Sequence, residues 1–176
     1  MITPRVRVLF VCYANVCRSP LAEGIFRQLA TERGLAERIE IDSAGTSAMH
    51  GSTPHPRSIQ IAALHGIDVS GISRQIMRDD IYTFDHIVLM DRANHRALTR
   101  LATPSAFAPE QTPRARIRLL LQIANPRVKA HALDVPDPIN GGPTAYPHCF
   151  ELIQQGCQAL LEELTSNACG GPSLLD

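Results

Sequence analysis

Val6-Arg7-Val8-Leu9-Phe10-Val11-Cys12 runs directly into Tyr13-Ala14-Asn15-Val16-Cys17-Arg18-Ser19-Pro20-Leu21, and this join decides the fold. Apart from Arg7, residues 6–12 are β-branched, aliphatic, aromatic or Cys, the composition of a mostly buried strand. A polar turn, 13–18, follows. Ser19-Pro20 then predicts a helix: serine is a good cap, proline fits the first helical position, and Glu23 favours its positive end. Leu21, Ile25 and Leu29, with Ala22 and Phe26, fall on one face of that helix, and Gly34 ends it.

Working outward, residues 39–43 read as a second strand, left through Ala44-Gly45-Thr46. A Gly/Ser/Pro/His loop, 46–56, leads to an amphipathic helix at 57–65, stopped by Gly66. Residues 86–90 form a third strand and 92–102 a third helix. A proline-rich connection (103–115) precedes a fourth strand at 116–123, although its leucine run also suits a helix. A loop at 134–147 follows. Phe150, Ile153, Cys157, Leu160, Leu161 and Leu164 then recur at helical spacing. The alternation predicts an α/β three-layer sandwich, a four-stranded parallel sheet with helices on both faces. It fills one domain, 1–166, with a disordered tail at 167–176. Ligands bind such sheets at the carboxyl ends of the strands, so chemistry is expected in the 12–19 turn.

Composition narrows the classes. The chain has 176 residues, 44% apolar and 19% charged, with seventeen Lys plus Arg against seventeen Asp plus Glu. No net field argues for nucleic acid or an anionic membrane. No apolar run approaches the roughly 18 residues of a bilayer span. Arg5 and Arg7 before Val8–Val11 resemble the start of a signal peptide, but the run is too short. A cytoplasmic, monomeric protein is expected. Five cysteines show no disulfide rhythm and no C-x-x-C, so all five read as reduced thiols. Cys149 and Cys157 fit a helix core, and Cys169 lies in the polar tail. The seven histidines lack metal-site spacing, so no metal and no cofactor is expected.

The turn carries the pattern C-x5-R-S. Five cysteines and sixteen arginines can produce that spacing by chance, so its position supplies the information. Cys12 ends a strand, Arg18-Ser19 begins a helix, and the five residues between them can point successive amides into one anion nest. Arg18 adds a permanently charged fork matching two phosphoryl oxygens. Amide dipoles, the helix N-terminus and Arg18 all favour a thiolate at Cys12. Tyr13, Ala14, Asn15, Val16, Cys17 and Ser19 thus become candidate phosphate-binding residues. Ser19 can donate its hydroxyl to the thiolate, and Asn15 suits a positive φ. Cys17 is either a reversible disulfide partner for Cys12 or a small residue packed under the loop.

A thiolate attacking phosphorus displaces an alkoxide, phenoxide or amine, which needs a proton. Val135-Pro136-Asp137-Pro138 offers one carboxylic acid held stiffly between two prolines, so Asp137 is the candidate acid. Asp91, after the third strand, reads equally as a helix cap or as a brace for an arginine.

These residues resemble the low-molecular-weight protein tyrosine phosphatases. The resemblance rests on Val11-Cys12 through Arg18–Glu23, Asp42-Ser43-Ala44-Gly45-Thr46, His65-Gly66-Ile67, Arg74-Gln75, Met90-Asp91 with Asn94, and Asp137-Pro138 with Gly141-Gly142, across residues 6–165. It implies hydrolysis of phosphotyrosine in proteins through a phosphocysteine on Cys12. Arg18 would bind the phosphoryl group and Asp137 would act as general acid and then base. Asn15, Ser19 and Ser43 would brace the loop. Three positions depart from the family pattern: Gly71 replaces a histidine expected to bond Asn15, Ile139-Asn140 replace aromatics after Asp137-Pro138, and Ala14 replaces glycine. Removal of one partner of Asn15 predicts a looser loop. Rival readings are a phosphoarginine phosphatase, an arsenate reductase, or a non-catalytic phosphate-binding or redox-sensing module. The reductase needs a redox pair around 80–90, where no cysteine occurs.

Overall fold

The computed structural model describes residues 5–103, 113–128 and 133–166. In chain order these form β1 (Val6–Cys12), α1 (Arg18–Glu32), β2 (Ile39–Gly45), α2 (Pro56–Leu64) and α3 (Asp80–Thr83). Then come β3 (His86–Leu89), α4 (Arg92–Ala102), β4 (Arg116–Leu119), α5 (Leu120–Ala124) and α6 (Ala145–Thr165). The strands make one parallel sheet in the order β2-β1-β3-β4. β1 therefore has neighbours on both sides, and Val8 through Val11 are fully buried. Such a strand has no solvent face, which explains its near-continuous apolar run.

Helices cover the sheet on both faces. α1 packs on β1, β2 and α6, and α6 also packs on α2 and α5, while α4 lies against β3 and β4. Phe26 of α1 meets Phe10 of β1 edge to face, with centroids 5.4 Å apart. α6 approaches α5 closely because Gly156 has no side chain: a Cβ there would sit 2.3 Å from Leu120 Cγ.

Four expectations need correction. The fourth strand stops at Leu119, and residues 120–124 are helical. Arg116-Ile117-Arg118-Leu119 alternates as a strand with one strand neighbour should, but Leu119-Leu120-Leu121 breaks that period. A helical turn instead buries both Leu120 and Leu121. Second, α1 begins at Arg18 with Cys17 in the capping position and no side-chain cap, because the Ser19 hydroxyl turns toward Cys12. Third, Glu23 lies beyond the first turn of α1 and serves another purpose, described below. Fourth, α3 falls in a stretch with no assigned element. The tail at 167–176, with Cys169, lies outside the described residues.

Candidate active site

β1 ends at Cys12 in register with Gly45 of β2, and the chain then turns through 13–17 into α1. The end of β2 holds this loop: Thr46 N–H donates to Cys12 O (2.9 Å) and Ser47 N–H to Tyr13 O (2.8 Å). Gly45 is what permits the approach. A Cβ at Gly45 would lie 2.6 Å from Tyr13 O and 2.9 Å from Asn15 N, distances that no side chain tolerates.

Among the described residues, Asn15 is the one non-glycine residue with positive φ, at 56°. That conformation aims its backbone N–H at Cys12 Sγ, 3.3 Å away. Its side chain offsets the strain by satisfying three partners. Nδ2 donates to Ser19 Oγ (2.9 Å) and Ser43 Oγ (2.9 Å), and Oδ1 accepts from Arg74 N (2.8 Å). Ser43 in turn donates to Glu23 Oε2 at 2.7 Å. The predicted loosening at Gly71 is therefore countered by the Arg74 amide.

Ser19 Oγ accepts from Asn15 and has one proton for two acceptors, Cys12 Sγ at 3.1 Å and Ala44 O at 3.2 Å. A hydroxyl so placed can give its proton to the sulfur when the sulfur is an anion, and to the carbonyl when it is a thiol. Cys12 itself is buried at the base of a 220 Å³ cavity lined by Tyr13, Ala14, Val16, Cys17, Arg18, Asp137 and Ile139. Asn15, Ser19 and Ser43 stand behind the sulfur and are absent from that lining.

Arg18 is 3% exposed. Its NH1 donates to Asp91 Oδ2 (2.7 Å) and Val135 O (3.0 Å), and its NH2 to Asp137 Oδ2 (2.7 Å). Its Nε is buried with no hydrogen-bond partner. Burial disfavours the guanidinium, but the charges of Cys12, Asp137 and Asp91 and the Asp91 hydrogen bond more than reverse this, so the pKa is raised. Asp91 has both of the uses proposed for it. It caps α4 in a box with Asn94 (Asn94 N to Oδ1, 2.7 Å) while its Oδ2 holds Arg18. Asp137 is steadied by Ile139 N–H on Oδ1 at 3.1 Å.

Cys17 is buried beside Tyr146, with Sγ 3.5 Å from Oη, and Oη lies 3.0 Å from His55 Nδ1. Burial pushes the Cys17 thiol up, only partly offset by hydrogen bonds from Tyr146 and Ser58. Cys149 and Cys157 are core thiols, as expected. Burial raises both, Cys149 to about 12. Among the described residues, no His, Cys, Asp and Glu cluster could hold a metal ion, and no helix is long and apolar enough to cross a membrane.

Comparison with known proteins agrees with this geometry. The profile of the low molecular weight phosphotyrosine protein phosphatases matches residues 7–169. The chain belongs to this family. It is 38% identical to a low molecular weight protein-tyrosine-phosphatase of Streptomyces coelicolor, over 88% of this chain and 91% of that one. Its fold superposes on the crystal structure of YfkJ from Bacillus subtilis with a TM-score of 0.79 and 35% identity, covering 94% of this chain and 98% of the other. A Drosophila arginine phosphatase superposes equally well, with a TM-score of 0.79, at 30% identity and 91% and 98% coverage.

Within this phosphatase, reasoning from sequence missed Gly45 and Glu23. Both were visible in stretches matching the family, Glu23 in Arg18–Glu23 and Gly45 in Asp42-Ser43-Ala44-Gly45-Thr46, yet each acts through a contact between elements. Ile139 was noted as the replacement of an aromatic, and it lines the same cavity as the loop residues.

Proposed function

We propose that this phosphatase hydrolyses phosphotyrosine in proteins by two successive phosphoryl transfers through Cys12. The observation that carries the reading is the convergence of Arg18 on the cavity above Cys12. NH1 is locked by Asp91 and Val135, Nε is without a partner, and NH2 is lent to Asp137. Nε and NH2 form one edge of the guanidinium fork, which suits two oxygens of a phosphoryl group.

In the first step the Cys12 sulfur, as thiolate, attacks phosphorus. The bond to the ester oxygen breaks, and Asp137 gives that oxygen a proton. Developing charge on the equatorial oxygens falls to Arg18 and the loop amides, which are fixed before the reaction begins. In the second step water attacks the phosphocysteine and loses a proton to Asp137, and the S–P bond breaks. Ser19 then hydrogen-bonds the departing thiolate.

Tyr13, 57% exposed, and Ile139 both line the cavity over Cys12, giving it an aromatic ring and an aliphatic side chain that suit a flat phenol. This favours phosphotyrosine over phosphoarginine. We further assign residues 1–166 to the catalytic unit, and place it in the cytoplasm as a monomer acting on phosphoproteins rather than on nucleic acid or membranes. The test is turnover of phosphotyrosine, phosphoserine and phosphoarginine peptides by the parent and Cys12→Ser. Preference for phosphotyrosine, abolished in a variant that still binds phosphate, is expected. Preference for phosphoarginine would reassign the substrate, and no turnover by reduced protein would leave a phosphate-binding module.

A further inference from the structure

α4 leaves the catalytic edge of the sheet at its cap, Asp91. Its sequence, Arg-Ala-Asn-His-Arg-Ala-Leu-Thr-Arg-Leu-Ala, contains three arginines and no acidic residue. Arg92, Arg96 and Arg100 are spaced four apart, so they share one side of the helix. All three are exposed, while Asn94 and Leu98 point inward. At about 1.5 Å per residue the row is about 12 Å long.

The first arginine is already partnered. Asp134 accepts from Arg92 Nε (2.9 Å), NH2 (2.8 Å) and the backbone N–H (2.9 Å). Partial burial would raise the Asp134 pKa, yet those hydrogen bonds and the charges of Arg92 and Arg96 hold it below the ordinary value. Arg96 and Arg100 make no side-chain hydrogen bond or ion pair among the described residues.

The row begins at the phosphoryl site. A second cavity, of 430 Å³, is lined by Arg18, Asp91, Arg92, Arg96, Asp134 and Asp137 among others, and it shares Arg18 and Asp137 with the cavity over Cys12. Asp137 thus lines both the cavity over Cys12 and the one that reaches Arg92 and Arg96. When Asp137 carries the proton it donates, Asp91 still balances Arg18 and Asp134 still balances Arg92. The remaining positive charge in this cavity is Arg96. An acidic side chain entering here meets a cation that, among the described residues, no side chain holds by a hydrogen bond or ion pair.

We infer that the Arg96–Arg100 face of α4 docks acidic residues flanking the phosphotyrosine of a protein substrate. The preferred substrate class is phosphotyrosine within an acidic segment, an inference that rests on the function proposed above. An extended peptide advances about 3.3 Å per residue, so the row spans acidic side chains up to about four positions from the phosphotyrosine. Exposed ion pairs are individually weak, about two- to fivefold each, and screened by salt. Two of them give a preference of about tenfold.

The experiment compares kcat/KM for two phosphotyrosine peptides of equal length, with Asp and Glu or with Asn and Gln at those flanking positions. A small aryl phosphate that cannot reach α4 serves as reference. Each is measured at low and high salt for the parent, Arg96→Glu/Arg100→Glu and the milder Arg96→Gln/Arg100→Gln. The parent should favour the acidic peptide about tenfold, through KM, with the preference shrinking in high salt. Both variants should lose it and keep the aryl phosphate rate. Equal rates on the two peptides in the parent, or a preference that survives both variants, overturns the docking surface alone. Absence of that preference together with binding to phosphatidylserine vesicles that the variants lose would assign the face to a membrane and overturn it as well. No aryl phosphate turnover by the parent would take down the proposed function and this inference together.

Discussion

Arg18 NH2 lies 2.7 Å from Asp137 Oδ2, so the residue assigned to bind phosphate is paired with the residue assigned to protonate the leaving group. NH2 carries two N–H bonds, so one can hold the Asp137 carboxylate while the other, with Nε, faces a phosphoryl oxygen. The carboxylate and the phosphoryl group then share one cation, and the negative charge of Asp137 competes with phosphate for it. Asp137→Asn removes the competitor and the proton together. We predict kcat lower by about 10²-fold or more on esters with poor leaving groups, a much smaller loss on good ones, and inorganic phosphate inhibiting severalfold more tightly. Steady-state rates over a series of aryl phosphates, with phosphate inhibition constants, check this. Equal losses across the series would remove Asp137 from proton transfer.

Asn15 combines two demands that separate substitutions can distinguish. Its positive φ is tolerated by glycine but strained for alanine, whereas its three side-chain hydrogen bonds are lost in both. Asn15→Gly should lower kcat/KM by about tenfold, as the serine hydroxyls and the Arg74 amide lose their partner. Asn15→Ala should cost that and about 1 kcal/mol more in stability. Urea denaturation beside kinetics separates the terms. Identical stabilities for the two variants would show that the backbone conformation carries no strain.

How much of this was legible before the fold was known follows from how far apart the cooperating residues are in sequence. Cys12 through Ser19 are contiguous, so strand composition, loop length and helix start together place the loop that joins Cys12 to Arg18. Asp137 was legible because its flanking prolines are a local signal. The chain from Glu23 through Ser43 to Asn15 and Ser19 crosses α1, β2 and the loop. No spacing rule relates those positions, and Ser43 was reached only by family resemblance. Gly45 matters through a backbone approach from another strand, and Arg92 finds Asp134 across 42 positions. The β4–α5 boundary failed for a different reason: three successive leucines break the strand alternation yet still suit a fully buried strand as well as a helix, and packing under Gly156 decides.

Cys17 shares the 12–19 loop with Cys12, yet its thiol is buried, its pKa is raised, and it is tied to Tyr146. Peroxide should oxidise Cys12 to a sulfenic acid, and attack by the Cys17 thiolate would then form a disulfide and expel hydroxide. Because a raised pKa keeps Cys17 protonated, protection should strengthen as pH increases. We predict that thiol restores the peroxide-treated parent more fully at high pH, and that Cys17→Ser recovers little at any pH. Equal recovery of the two proteins would show that Cys17 only packs beneath the loop.

His86 sets an acid limit on the fold rather than on the chemistry. It opens β3, paired in register with Val8 and Arg116, and its Nδ1 is buried without a partner. Burial pushes its pKa down to about 4 from 6.5. The charges of Arg118 and Arg116 add to that, and those of Asp85 and Glu163 oppose it. The unfolded chain therefore binds a proton that the folded one refuses between those values, so stability rises with pH across that window. The contribution is complete above about pH 6.5 and is lost as pH falls toward 4, roughly 3 kcal/mol in all at about 1.36 kcal/mol per unit. Glu163 and Asp134, both held below the ordinary carboxylate value by arginine partners despite their burial, also withdraw stability in acid. The His86 share is thus read as the difference between parent and His86→Asn. Urea titrations from pH 7 to 4.5 should show the parent weakening more steeply than the variant. Parallel curves would mean that His86 takes up its proton in the folded state near its ordinary pKa.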